Sequence, residues 1–164
     1  MSKRRRVAIV GLGMAVTPHA QSLVDLTDRI EVKGRKLVVL AGPGDRRDED
    51  LREIAQRAAG RFAHYFCRRD DSLRGRTDEE VPRILRETLL AAGVPDKQIT
   101  VIADEQRAVD AALRMARAGD LLLVFGDSIA RTWKQIIHFR PDGGGRGASA
   151  AASPAPRVEV AAPG

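Results

Sequence analysis

One cysteine, Cys67, among 164 residues leaves no partner for an internal disulfide and no set of thiols for a zinc site. Aromatic residues make up only 4% of the chain, too few for a surface on which nucleic-acid bases stack. No apolar run approaches the ~20 residues that a bilayer crossing takes. The three histidines, His19, His64 and His138, lie far apart, and none has a second histidine or an acid at ligand spacing on one helix, so no metal site is expected. Neither a Gly-x-Ser-x-Gly elbow nor a nucleophile's surroundings at Cys67 occurs. The basic start, residues 1–6, runs into a short glycine-containing stretch that lacks the cleavage pattern of a secretion signal. Together these absences set aside a disulfide scaffold, a membrane span, a metal centre and a serine hydrolase, and they predict a soluble cytoplasmic chain.

What is present suffices for one sizeable core, since 43% of the residues are hydrophobic. The net charge of +6 raises the question of nucleic acid. Its distribution argues against that partner. Only Lys3-Arg4-Arg5-Arg6 forms a run, and most other arginines alternate with Asp and Glu as on solvated helix faces.

Strand-like and helix-like patterns alternate along the chain. Residues 7–12, 37–41, 64–68, 99–103 and 121–125 read as strands, and 18–30, 48–62, 77–92, 105–118 and 129–139 as helices. Thr17 with Pro18 marks the first helix start, and Asp48-Glu49-Asp50 suits the positive end of the second helix's dipole. Pro82 delays the regular part of the third helix to about Val81. Trp133 is expected to pack on the sheet. Strands separated by helices of ten to fifteen residues imply parallel pairing through right-handed crossovers. The expected fold is therefore α/β, a three-layer Rossmann-like domain over residues 7–140 with a mostly parallel sheet of five or six strands. Residues 1–6 form a basic arm ahead of it, and the Gly-, Ala-, Ser- and Pro-rich residues 141–164 show no apolar periodicity and are expected to be disordered.

Ligands of open α/β sheets bind at the carboxyl edge of the strands. Three candidate turns lie there. Gly44-Asp45-Arg46-Arg47 offers a carboxylate and two guanidiniums beside a helix N-terminus, a combination suited to holding a phosphate or carboxylate. Asp70-Asp71-Ser72-Leu73-Arg74-Gly75-Arg76 carries both charge signs, and Gly126-Asp127-Ser128 adds either a third contact or a plain N-cap. A further candidate is Gly11-Leu12-Gly13 after the first strand, a partial dinucleotide fingerprint in which Val16 stands where the third small residue belongs.

Ala41-Gly42-Pro43-Gly44-Asp45-Arg46-Arg47-Asp48-Glu49-Asp50, Arg69-Asp70-Asp71-Ser72-Leu73-Arg74-Gly75-Arg76, and Gly119-Asp120-Leu121-Leu122-Leu123-Val124-Phe125 followed by Trp133-Lys134-Gln135-Ile136 resemble the carboxyl-terminal domain of Mur ligases, in the version found in cyanophycin synthetase. The resemblance extends over about residues 36–137. It implies a detached domain of an ATP-dependent ligase, in which ATP activates a carboxylate as an acyl phosphate and an amine then attacks to form an amide. It further implies that Gly44, Asp45, Arg46 and Arg47 face the nucleotide and phosphoryl region, and that Asp71, Arg74, Arg76 and Asp127 hold an anionic amino-acid or peptide substrate. The family's central domain carries a Gly-x-x-x-x-Gly-Lys-Ser/Thr phosphate loop, and no such loop occurs here. ATP with Mg is therefore expected only through a separate ATP-binding partner domain. Residues 7–30 resemble instead the start of Gfo/Idh/MocA-type oxidoreductases, which implies the alternative of an NAD(P)-binding module using Gly11 and Gly13.

Overall fold

The computed structural model describes residues 6–11, 22 and 25–140. The elements, in chain order, are β1 (Arg6–Gly11), β2 (Lys36–Leu40), α1 (Asp48–Ala58), β3 (His64–Cys67), α2 (Glu80–Ala91), β4 (Ile99–Val101), α3 (Glu105–Met115), β5 (Leu121–Gly126) and α4 (Ile129–His138). Residues 25–29 are also helical. Residues 12–21, which hold Gly13 and the expected Thr17-Pro18 helix start, lie outside the described residues, as do residues 1–5 and 141–164.

The unbroken apolar runs of β2 and β5 read as strands covered on both faces, and that is their position. The sheet order is β1-β5-β2-β3-β4, five strands with every pairing parallel. Leu37 stands opposite Leu122, Val38 opposite Leu123 and Val39 opposite Val124. Because side chains alternate along a strand, these residues divide between two cores. Val38, Leu40, Tyr65, Cys67, Leu123 and Phe125 meet Leu51 and Ile54 of α1 and Leu85 and Leu89 of α2. Leu37, Val39, Phe66, Leu122 and Val124 meet Val109, Ala112 and Leu113 of α3. The architecture is thus a three-layer Rossmann-like α/β fold.

The order also locates the crevice. From β2 the chain steps outward to β3 and β4, then returns across the sheet to β5, so the winding reverses between β5 and β2. Ligand crevices of doubly wound sheets form at that reversal, outside the carboxyl ends of the strands.

Several boundaries differ from the sequence pattern for local reasons. α1 ends at Ala58 because Ala59 turns extended (φ −57°, ψ 134°) and Gly60 takes φ 76°. Phe62, outside the helix, is still buried, edge-on to Tyr65 at 5.9 Å. α2 begins at Glu80, which leaves Pro82 in the first turn, where its missing N–H has no intrahelical acceptor to lose. Ala92 is exposed beyond the last helical residue, and Gly93 follows at φ 89°. Trp133, expected on the sheet, is 38% exposed. α4 buries Thr132 in its place, because polar contacts to α3 attach this helix and turn Ile129, Trp133 and Ile137 outward.

Candidate functional site

β2 delivers the chain to its carboxyl edge at Leu40, and Ala41 to Gly44 stay buried before Asp45 emerges. A Cβ on Gly44 would sit 2.5 Å from the Leu73 carbonyl oxygen and 3.0 Å from that of Ser72. The glycine therefore lets the 70–76 loop lie directly against the 43–47 turn. Two arginines fasten the contact. Arg74 Nη1 reaches Asp45 Oδ2 at 2.6 Å. Arg76 donates from Nε to the Gly44 carbonyl at 2.9 Å, and from Nη2 to the Arg46 carbonyl at 2.7 Å and Asp48 Oδ1 at 2.8 Å.

Arg74 adopts φ 46°, the sole positive φ of a non-glycine residue among the described residues, and Gly75 follows at φ 94°. Such a backbone costs about 1–3 kcal/mol and persists where the surroundings over-determine it. Here the Arg76 N–H donates to the Leu73 carbonyl at 3.0 Å, and the Ser72 N–H to Asp70 Oδ1 at 2.9 Å. Burial pushes the Asp70 carboxyl up from its ordinary range, with Asp127 nearby adding to the effect. Arg47 does not join the loop. Its exposed guanidinium folds back on Asp50 of α1, and that hydrogen bond holds the Asp50 carboxyl below the usual range.

Behind this rim lies a buried ionic network that no sequence motif announced. Arg68, fully buried at the end of β3, crosses the end of β2 to reach β5. It donates to the Phe125 carbonyl at 2.6 Å and grips Asp127 with both terminal nitrogens, at 2.9 and 3.0 Å. Glu105, 2% exposed, lies 2.9 Å from Arg68 Nη2 and accepts from the Asp127 N–H at 2.7 Å, Thr132 Oγ1 at 3.0 Å and Arg131 Nη2 at 2.7 Å. Arg131 also meets Asp71 at 2.5 Å. The hydrogen bonds that Arg131 donates to Glu105 and Asp71 raise its guanidinium's pKa further. An arginine after a buried strand and a glutamate after an N-cap are all that the sequence offers for this network, and solvated helices show the same pattern.

The expected site residues therefore divide. Gly44, Asp45, Arg46, Arg74 and Arg76 come together on one rim. Asp127, expected to face substrate, is turned inward instead: its carboxylate takes Arg68 and the Asp71 N–H, the latter at 2.7 Å. Asp71 is held by Arg131, and Ser128 caps α4. Gly11 ends the edge strand β1, opposite Gly126, so it stands away from the crevice between β5 and β2 that Arg68 spans. Cys67 is buried, and its thiol is pushed up to about 12 by that burial, which keeps it from acting as a nucleophile.

The family model for the Mur ligase, glutamate ligase domain, matches residues 2–128. That span reaches back beyond the expected start near residue 36 and includes β1. A cyanophycin synthetase of Trichormus variabilis is 33% identical over 126 residues, covering 74% of this chain and 13% of that protein. A UDP-N-acetylmuramoyl-L-alanyl-D-glutamate–2,6-diaminopimelate ligase of Aquifex aeolicus is 33% identical over 112 residues, covering 68% of this chain and 22% of its own length. The solved structure of a ligase of that same name superposes with a TM-score of 0.63 at 15% identity, over 84% of this chain and 30% of that one. The chain thus spans a minor part of the relatives that it matches.

Proposed function

Because the chain belongs to the Mur ligase glutamate ligase domain family, we propose that it serves as the carboxyl-terminal lobe of an ATP-dependent acid–amino acid ligase of cyanophycin synthetase or Mur ligase type. It works in the cytoplasm against a separate ATP-binding domain. The observation that carries this reading is the junction of the two family-like turns, through Arg74–Asp45 at 2.6 Å and Arg76 on the Gly44 and Arg46 carbonyls. That junction joins the two turns into one rim at the carboxyl edge of the sheet, where arginines pair with Asp45, Asp48 and Asp50.

ATP with Mg, held by the partner domain, would supply the phosphoryl group that activates a carboxylate. This chain's own part is to orient and to balance charge. Gly44, Asp45, Arg46 and Arg47 face the nucleotide side, where arginine donors stabilise charge that builds up on a transferring phosphoryl group. Arg74 and Arg76, with Asp71, face an anionic amino-acid or peptide substrate, and Arg–carboxylate geometry suits that recognition. Asp127 contributes by fixing Asp71 rather than by touching substrate.

The test is a thermal-shift titration followed by reconstitution. Mg-ATP leaves the melting temperature of this chain unchanged, since ligand binding to the folded state would raise it. Addition of a ligase ATP-binding domain with an acid and an amine substrate gives ADP release that is lost in the Arg76→Ala variant. ATP hydrolysis by the chain alone, or reconstituted turnover indifferent to Arg76, refutes the proposal. NAD(H) and NADP(H) give no shift, consistent with the edge position of Gly11; a shift abolished by Gly11→Val would instead favour the dinucleotide reading.

A further inference from the structure

The 70–76 loop is anchored at both ends, and the two anchors differ in kind. Arg74 and Arg76 attach its far end to the 43–47 turn through groups at the surface or close to it. At its near end Asp71 is attached to the interior: its N–H donates to Asp127, and its carboxylate meets Arg131. Arg131 is itself seated on Glu105, which receives Nη2 at 2.7 Å and Nε at 3.2 Å. A carboxylate that is 2% exposed and holds Arg68, the Asp127 N–H and Thr132 as well has no freedom to rotate. The guanidinium plane is fixed by that seat, and Nη2 still reaches Asp71.

We infer that Arg131, oriented by the buried Glu105, is a positioning residue for the substrate loop: it sets where Asp71, and with it the 70–76 loop, stands relative to the rim arginines. This rests on the reading above that the loop carries the anionic substrate. The supporting contrast is burial. Arg131 is 36% exposed, while Glu105 keeps Arg68, Thr132 and the Asp127 N–H when Arg131 is removed. Loss of Arg131 therefore frees the loop while the core remains compensated. None of these residues is adjacent in sequence to its partner: Arg131 stands 26 residues from Glu105, and Asp127 stands 56 from Asp71.

Amide hydrogen exchange on the full chain tests the inference directly. In Arg131→Ala, exchange at residues 71–76 rises about tenfold or more while the β2 and β5 amides stay at the wild-type rate, the pattern of a local opening. Leu113→Ala, a variant in the core beneath α3, serves as the control in which strands and loop rise together. Arg131→Lys, which keeps a cation but loses the planar fork, falls between wild type and alanine. Loop exchange equal to wild type in Arg131→Ala, or a parallel rise in loop and strands, overturns the inference. In the reconstituted ligase Arg131→Ala raises KM for the amino-acid or peptide substrate and leaves KM for ATP unaltered; equal KM values for both substrates before and after the change would remove the link to substrate. If the wild-type mixture gives no turnover, the functional proposal fails, and the exchange result still decides the positioning role.

Discussion

Gly44 and Arg74 lie on the two sides of the seam between the turns, and each is needed for a different physical reason. At Gly44 the constraint is space, because the Leu73 and Ser72 carbonyl oxygens occupy the place of a side chain. Both obstructing atoms belong to backbone, which yields only by moving the loop. Gly44→Ala is expected to destabilise the protein by about 1–3 kcal/mol, in the range of overpacked positions, and to weaken the Arg76 contact with the 44 carbonyl. Urea denaturation measures the first effect, and raised exchange at residues 73–76 the second. At Arg74 the constraint is conformation, since a left-handed backbone at an arginine is maintained by the loop's own hydrogen bonds and by Asp45. Both residues stood out in the sequence as members of charged turns. That both turns reach one edge of the sheet was expected from the strands they follow; that Gly44 packs directly on the Leu73 and Ser72 carbonyls was not legible, since α1 and β3 separate the two turns.

Among the elements, β2 and β5 were readable because a strand buried on both faces must be apolar throughout. α4 was readable as a helix but misleading about its buried side. Its apolar residues suggested attachment by Trp133, whereas Thr132, Arg131 and Gln135 make the contacts to Glu105 and the Gln106 carbonyl. β3 is short and polar at its start, and it is fixed by pairing on both sides. There His64 Nε2 meets Thr100 Oγ1 of β4 at 2.8 Å. Burial, with Arg35 nearby, lowers the His64 pKa below its ordinary 6.5. A folded-state value below the unfolded one means that the histidine's contribution is complete above pH 6.5 and fades as the pH falls below it. Melting temperature should accordingly drop on acidification from pH 7.5 to 5.5, and by less in His64→Gln; equal slopes for the two proteins would show that His64 is not the group responsible.

On the scale of the whole molecule, one side chain ties β3 to β5 across the end of β2. Arg68 leaves β3, passes over β2 and binds the end of β5 together with Asp127 and Glu105. Removing one partner of such a buried set leaves the others charged and uncompensated, at a cost of about 3–5 kcal/mol. Arg68→Met, close in volume but neutral, is expected to lower the unfolding free energy measured by denaturant titration by that amount and to loosen the 70–76 loop through Asp127. A stability within experimental error of wild type would mean that the network is dispensable. The same side chain spans the reversal point between β5 and β2, where other sheets of this class hold a dinucleotide.

The amino-acid order alone determined the layer architecture, the alternation of strands and helices, and the two charged turns, because apolar periodicity and glycine placement are local properties. Tertiary structure decided which charges meet. Arg68, Glu105 and the Asp127–Arg131 turn come from three stretches of chain and become a unit only when parallel pairing brings the ends of β3 and β5 to the same edge as the starts of α3 and α4. Strand order is a matter of which long loops close and which faces are covered, and no local pattern in the chain encodes it.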